Sequence, residues 1–104
     1  MNRGQVYRIR LPTGRGHEQR GARYGVIVQA EALLGLSTVI IAPTSRSAAA
    51  ATFRPAVVVA DEPTRVLVEQ LRVVDIERLG ELVGRLDPNE QRALDDALEL
   101  VLGL

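Results

Sequence analysis

The chain contains no cysteine, no lysine and no tryptophan, and His17 is the single histidine among its 104 residues. Without cysteine there can be no disulfide bond, no thiolate chemistry and no cysteine-ligated metal site. One histidine excludes a mechanism that needs two, and the sequence shows neither a Ser-His-Asp set nor the spacing of metal ligands. We therefore expect no metal and no other cofactor.

Long hydrophobic runs are absent as well. No apolar stretch approaches the roughly 18 residues that suggest a membrane helix, and the N-terminus lacks the hydrophobic region of a signal peptide. The contents of 46% hydrophobic and 25% charged residues are ordinary for a globular protein. We expect one domain over residues 1–104, located in the cytoplasm and without membrane contact.

The formal net charge is zero, but the two halves of the chain differ in sign. Residues 1–54 carry eight arginines against two acids, a net charge of +6, whereas residues 55–104 carry five arginines against 11 acids, a net charge of −6. Because a guanidinium can give phosphate two parallel hydrogen bonds, the basic half is a candidate RNA-facing surface. A genome that uses arginine in place of lysine would explain the arginine content but not its position.

Hydrophobic patterning predicts a mainly β chain of five to seven strands. The expected strands are a half-exposed one at 3–11, buried ones at 24–29 and at 38–42 (stopped by Pro43), and a hairpin of 55–60 and 65–68 around a turn at 61–64. Residues 31–34 are expected to form a helical turn, and 44–47 a polar loop. Residues 72–79 are ambiguous, with a helical turn followed by a short strand through residue 86 as the favoured assignment.

The last element is the clearest. Asp87, Pro88 and Glu90 form the signature of a helix start, with an N-cap, a proline at the first position and a capping glutamate three residues after the cap. Apolar residues then line one helical face, and Gly103 ends the helix. The residues on that face are Ala93, Leu94, Ala97, Leu98, Val101 and Leu102. Leu100 and Leu104 lie off this face and are available to a partner subunit.

Five short blocks follow one another along nearly the whole chain. They are Arg3-Gly4-Gln5-Val6-Tyr7, Glu18-Gln19 followed by Arg23, Thr44-Ser45 after an apolar strand, Glu69-Gln70-Leu71-Arg72, and Arg78-Leu79 with Gly84-Arg85-Leu86 before the last helix. In this order they resemble the MazF/PemK (Kid) toxins of bacterial type II toxin–antitoxin systems. The resemblance implies an SH3-like β-barrel of the MazF/Kid/CcdB type with a C-terminal helix.

The resemblance also implies an activity and partners. Members of that family are homodimers that cleave single-stranded mRNA at specific sequences without a metal, leaving a 2′,3′-cyclic phosphate and a 5′-hydroxyl. A cognate antitoxin silences them. By this resemblance Arg23 is the central acid–base residue, Thr44 helps to hold the scissile phosphate, and Glu18 accepts a proton or orients Arg23. Because arginine normally keeps its charge, with a pKa above about 12, its main role would be electrostatic.

Further residues are expected to contact RNA: His17, Gln19, Tyr24, Ser45, Arg46, Glu69 and Gln70. Each candidate has a structural alternative. Arg23 could be a solvated residue before a buried strand, and Thr44 a strand-ending hydroxyl with a local backbone hydrogen bond. Glu69 could form a loop ion pair with Arg65 or Arg72, and the segment 45–47 could be a plain polar loop.

Two departures from the family pattern affect the site. Tyr24 replaces the proline that usually follows the arginine, so the restraint on the backbone at Arg23 is lost. Tyr24 could stack on a base or be a core aromatic at the strand start. His17 stands where the family often has serine, and it could exchange protons beside Glu18 or be solvated.

Two other functions remain open at this point. The related CcdB toxins share the fold but bind DNA gyrase without cleaving RNA. A catalytically weak relative could bind RNA or an antitoxin, because the proline after Arg23 is missing.

Overall fold

A computed structural model describes residues 1–10 and 23–104 of the chain. In these residues the strands are β1 (Gln5–Ile9), β2 (Arg23–Ile27), β3 (Thr38–Ser45), β4 (Ala56–Val59), β5 (Glu62–Val66), β6 (Arg72–Asp75) and β7 (Leu79–Arg85), followed by helix α1 (Pro88–Leu102). Short 3₁₀ turns lie at Glu31–Leu33, Val68–Gln70 and Ile76–Arg78. No helix in the described part of the chain is long and apolar enough to cross a membrane.

The strands form a curled antiparallel sheet in the order β4-β5-β3-β2-β1-β7, with β6 paired to β3. Strand β3 organises this sheet because it pairs with three others. It pairs with β2 over residues 41–43, with β6 over residues 38–41 and with β5 at residues 44–45. The expected mainly β fold with a C-terminal helix is confirmed.

Pro43 does not stop the third strand, contrary to the sequence prediction. It pairs in register with Gly25, and its carbonyl accepts a hydrogen bond of 2.8 Å from the Leu67 amide. Pro43 lies between the segment of β3 that pairs with β6 and the segment that pairs with β5, so its missing N–H interrupts neither ladder. The strand therefore continues to Ser45 and carries two polar residues into the sheet.

Two hydrophobic cores lie on opposite faces of the sheet, and β1 contributes to both. Val6 is buried in the larger core, which includes residues of the β4–β5 hairpin and of α1, whereas Ile9 is buried in the smaller one. The predicted half-exposed strand is therefore wrong at Val6, on the side expected to be polar. Gly25 lies where β1 and β2 approach closely, because a Cβ atom there would collide with the Ile9 side chain.

The predicted hairpin of the fourth and fifth strands is confirmed, but its turn lies elsewhere. Val59 pairs with Glu62, so the turn consists of Ala60 and Asp61 instead of residues 61–64. Both turn residues have positive φ, 52° and 64°, which is the backbone of a type I′ hairpin turn. This turn brings Glu62 and Thr64 into the strand.

The predicted helical turn followed by a strand agrees with the turn at Ile76–Arg78 and strand β7, but the prediction misses the strand that precedes the turn. Arg72–Asp75 is strand β6, paired with the first half of β3, and the helical turn follows it at Ile76–Arg78. The sequence pattern is short and apolar at Val73 and Val74, and such a run does not by itself distinguish a strand from a helical turn. The pairing with β3 shows that residues 72–75 form a strand.

The C-terminal helix follows the prediction. Asp87 accepts a hydrogen bond of 2.7 Å from the Glu90 amide, and Glu90 accepts one of 2.9 Å from the Asp87 amide, which completes the capping box. Gly103 ends the helix in the left-handed conformation. Leu94 and Ala97 are buried in the larger core, whereas Val101 and Leu102, on the predicted apolar face, are exposed.

Candidate active site

A pocket of about 430 Å³ opens where the start of β2, the end of β3 and the tip of the β4–β5 hairpin meet. Five residues predicted from the sequence line it: Arg23, Tyr24, Thr44, Ser45 and Arg46. Antiparallel pairing of Gly25 with Pro43 brings the two groups together, since it aligns the start of β2 with the end of β3. The structure thus joins residues that are about twenty positions apart in the chain.

Arg23 is the first residue of β2, opposite Ile9 of β1. Its Nε atom is buried and has no hydrogen-bond partner. Burial lowers the pKa of this guanidinium from its ordinary value, because a charged group loses hydration on entering the protein. The residue is therefore not the solvated arginine of the structural alternative; it carries a donor that no described group satisfies.

Tyr24 lines the pocket, but its ring also has a structural role. The Arg8 guanidinium lies 5.5 Å from the ring centroid, and the ring packs against the larger core. A cation placed over an aromatic ring is attracted by the ring's quadrupole. These contacts hold the Tyr24 ring beside the pocket without a stacked nucleobase.

Thr44 and Ser45 are strand residues of β3, so the predicted polar loop begins only at Arg46. Both are about 95% buried, with exposed fractions of 4% and 5%. The Thr44 hydroxyl donates a long hydrogen bond of 3.5 Å to the Tyr24 carbonyl, and the Ser45 hydroxyl lies 3.4 Å from that of Ser47. Hydrogen bonds of this length are weak, so either hydroxyl can turn toward a better acceptor.

The hairpin contributes four lining residues that the sequence analysis missed: Val59, Ala60, Glu62 and Thr64. Arg46 and Glu62 form an ion pair between Nη1 and Oε2 at the exposed rim. Thr64 is 7% exposed, and its Oγ1 atom is buried without a partner. The sequence carries no clear signal for this turn, because Ala60-Asp61 lacks the Asn-Gly or Asp-Gly pair that is typical of a type I′ hairpin turn.

Glu69 and Gln70 were predicted to contact RNA but do not line this pocket. Glu69 Oε2 accepts hydrogen bonds from Arg54, of 2.6 Å from Nη2 and 3.0 Å from Nε. The predicted loop ion pair is therefore present, but its cation is Arg54 and not Arg65 or Arg72. Gln70 is an exposed residue of the adjoining 3₁₀ turn.

The Arg54–Glu69 pair shifts the pKa of both groups. Partial burial disfavours the charge on Glu69, but the hydrogen bonds and charge of Arg54 outweigh it and lower the pKa of the carboxyl. The hydrogen bond to Glu69 likewise raises the pKa of Arg54. Each partner thus stabilises the charged form of the other.

Three predicted site residues, His17, Glu18 and Gln19, lie outside the described residues. Within residues 1–10 and 23–104, no three histidine, cysteine or acidic side chains gather as metal ligands would. The described part of the pocket therefore offers two guanidinium groups, three hydroxyls and one carboxylate. The phenol of Tyr24 is a further polar group beside them.

A family model, described as the PemK-like, MazF-like toxin of type II toxin–antitoxin systems, matches residues 2–102. A candidate toxin of Mycobacterium tuberculosis is 40% identical over 104 aligned positions, which cover 98% of this chain and 97% of that protein. Both matches extend over nearly the whole sequence.

Solved structures share the fold. An endoribonuclease in complex with its cognate antitoxin, from a mycobacterial species, superposes with a TM-score of 0.83 at 24% identity and covers 100% of this chain and 96% of its own. MazF from Deinococcus radiodurans gives a TM-score of 0.84 at 20% identity, covering 100% and 97%. The expected MazF-type barrel is confirmed. With its family match and its 40% identical relative, the chain belongs to the PemK-like, MazF-like toxins of type II toxin–antitoxin systems.

Proposed function

We propose that this toxin is an endoribonuclease that cleaves single-stranded mRNA at specific sequences, without a metal, in the pocket between β2, β3 and the hairpin. The observation that carries the proposal is the position of Arg23 and Thr44 in one pocket, with the buried Nε of Arg23 lacking a partner. Two endoribonucleases from mycobacterial species that share the fold support it. Messenger RNA as substrate also places the protein in the cytoplasm.

The proposed reaction forms a bond between the ribose 2′-oxygen and phosphorus and breaks the bond from phosphorus to the 5′-oxygen. The 2′-hydroxyl loses a proton, which Glu18 accepts, and the leaving oxygen gains one, which Arg23 supplies. The products are a 2′,3′-cyclic phosphate and a 5′-hydroxyl. Negative charge builds on the phosphorane between these events, and donors already aimed at that position stabilise it.

Arg23 suits the central role for an electrostatic reason. Its guanidinium keeps a positive charge at neutral pH, and burial strengthens its interaction with a phosphate because less water screens it. The lowered pKa also makes it a better proton donor than an exposed arginine. Thr44 adds a hydroxyl whose present hydrogen bond is long and easily exchanged.

Three described residues complete the proposed RNA-binding surface: Tyr24, Ser45 and Arg46. Ser45 offers a second hydroxyl beside Thr44, and Arg46 places a guanidinium at the rim. His17 and Gln19 are proposed RNA contacts from the sequence resemblance alone. The family's antitoxins suggest an acidic, partly disordered segment as the partner that covers this basic surface.

We also propose a homodimer. The last turns of α1 leave large apolar residues uncovered, with exposed fractions of 59% for Leu100, 53% for Leu102 and 86% for Leu104. A second subunit would remove this surface from water. Light scattering coupled to size-exclusion chromatography would report twice the mass of one chain, and a mass of one chain would contradict the dimer.

Cleavage of a long single-stranded RNA in EDTA tests the proposed activity. Discrete cuts ending in cyclic phosphate are expected from the wild type, with no detectable cuts from Arg23→Ala and much slower cleavage by Thr44→Ala at equal protein concentration. Arg92→Ala is the matched control, because it removes an arginine from the exposed side of α1, far in sequence from the pocket. Intact RNA with folded wild-type protein, free of antitoxin, would overturn the proposal and favour a gyrase-binding or catalytically weak toxin.

A further inference from the structure

Thr64 occupies an unusual position on the inner face of the hairpin. It lies on the same side of β5 as Val66, and it pairs across the hairpin with Val57. Val57 and Val66 are both buried in the larger core. Thr64 thus continues an apolar row outward to the pocket, and the next residue on that side is Glu62 at the rim.

The hydroxyl of Thr64 has no hydrogen-bond partner among the described residues. Among residues 1–10 and 23–104, two side-chain polar atoms are buried without a hydrogen bond, Arg23 Nε and Thr64 Oγ1. Both residues line the same pocket. A buried hydroxyl without a partner destabilises the folded state, and a valine would fill the same space without that cost. The pair of unsatisfied atoms therefore marks a place built for a ligand.

The other groups of the pocket define the chemistry of that ligand. Arg23 can only donate hydrogen bonds, and the hydroxyls of Thr44 and Ser45 can donate to an incoming acceptor. The carboxylate of Glu62 is already engaged by Arg46. An anionic ligand with several acceptor oxygens matches this set, and a phosphodiester has that chemistry. The hydroxyl of Thr64 can donate one hydrogen bond as well, because its hydrogen rotates about the Cβ–Oγ1 bond to suit the acceptor.

We propose that Thr64 is a further RNA-binding residue, which donates a hydrogen bond to a non-bridging phosphate oxygen of the strand held by Arg23. The assignment rests on the proposed ribonuclease function. It predicts that the hydroxyl contributes to RNA binding while making no favourable contribution to the stability of the free protein.

Thr64→Val and Thr64→Ser test this assignment as a matched pair, because valine keeps the shape and serine keeps the hydroxyl. Affinity is measured with an RNA whose cleaved nucleotide, mapped first with the wild type, carries a 2′-deoxy substitution that prevents cleavage. Thr64→Val is expected to bind about 10- to 100-fold more weakly, because a hydrogen bond to a charged phosphate is lost, and Thr64→Ser within about twofold of wild type. The Tm of Thr64→Val should equal or exceed that of the wild type.

Neutral methylphosphonate linkages identify the contacted phosphate. At one linkage near the cut, the substitution should weaken wild-type binding by a larger factor than it weakens binding of Thr64→Val, because the variant has already lost the hydrogen bond from residue 64. If the methylphosphonate weakens binding of the wild type and of Thr64→Val by the same factor at every linkage, Thr64 does not contact a phosphate.

The remaining outcomes separate this assignment from the function on which it rests. Unchanged affinity of Thr64→Val, beside a cleaving wild type, would overturn the assignment alone. A wild type that does not cleave would overturn the proposed function and this assignment with it. A lower Tm for Thr64→Val would show that the hydroxyl supports the fold instead.

Discussion

Arg23 and Arg54 are both partly buried arginines near the hairpin, but their surroundings are opposite. Arg54 donates two hydrogen bonds to Glu69 and a third, of 3.2 Å, to the Ala49 carbonyl, and its pKa is raised. Arg23 has a buried Nε atom without a partner, and its pKa is lowered by burial. The first arginine has its hydrogen bonds within the protein, whereas the described residues leave the Nε donor of the second without a partner.

This difference separates an arginine that is paired within the fold from one for which we propose a role in the reaction. The Arg54–Glu69 pair is compatible with a purely structural role, because each partner offsets the loss of hydration of the other. No group in residues 1–10 or 23–104 compensates Arg23 Nε for its loss of hydration. Mutations at the two sites test this contrast. A change at Arg23 should lower activity without lowering stability, and a change at Arg54 should lower stability without lowering activity.

The largest expected effect comes from Arg23→Gln and Arg54→Gln measured side by side. Arg23→Gln should lose at least about 100-fold in cleavage rate, since it removes a donor aimed at the developing charge, and its Tm should not fall. Arg54→Gln should lose a few degrees of Tm and keep its cleavage rate below the new Tm. Cleavage assays in EDTA and thermal unfolding provide the two readouts. If both variants lost activity and stability together, the two arginines would not differ in their roles.

A smaller effect is expected at Thr44, whose hydroxyl makes a long bond in the free protein. Thr44→Val should reduce the single-turnover cleavage rate about 10- to 100-fold, because a hydrogen bond to a charged phosphate is lost. Thr44→Ser, which retains a hydroxyl, should cleave within a few-fold of the wild type. An inactive Thr44→Ser would show that the methyl group, and thus packing, is what matters at this position.

Substitution of Glu62 is expected to strengthen RNA binding. Its carboxylate pairs with Arg46 at the rim and opposes the negative charge of RNA. Glu62→Gln should therefore bind uncleavable RNA about two- to fivefold more tightly at low salt, and the gain should shrink as salt increases. Arg46→Gln should weaken binding under the same conditions. Tighter binding in both variants would contradict an electrostatic role for this pair.

The smallest effect belongs to Glu69 and depends on pH. Its pKa is lowered in the folded protein, so the pair contributes stability above the pKa of the unfolded chain and loses it as pH falls through the folded-state pKa. Glu69→Gln should be less stable than the wild type at pH 7, and the difference should disappear as the pH falls below the ordinary value of 4.5. Its cleavage rate at pH 7 should stay within about twofold.

Prediction from the sequence worked where local chemistry determines the structure. Helix α1 was located because Asp87, Pro88 and Glu90 act within one turn. Arg23 and Thr44 were selected from the family resemblance, and the pairing of β2 with β3 brings them into one pocket. Local signals failed at Pro43, since its place between two ladders depends on strands that are distant in sequence.

The missed site residues have one cause. Placing the hairpin turn at 61–64 made Thr64 a turn residue, whereas the turn at Ala60-Asp61 makes it a buried strand residue. A shift of this kind moves side chains from one side of the sheet to the other. The sequence does not predict Arg54 as the partner of Glu69 either. The contact depends on the path of the chain directly before β4, where Arg54 lies.

The sheet order also constrains when the toxin becomes functional during its synthesis. Strand β1 pairs with β2, its neighbour in the described chain, and with β7, near the opposite end. Such long-range pairing slows folding, because distant segments must meet before their contacts form. The pocket residues lie between positions 23 and 64, yet the sheet that supports them closes only after residue 85 has left the ribosome. The sheet that supports the pocket is therefore complete only when β7 has been synthesised and can pair with β1.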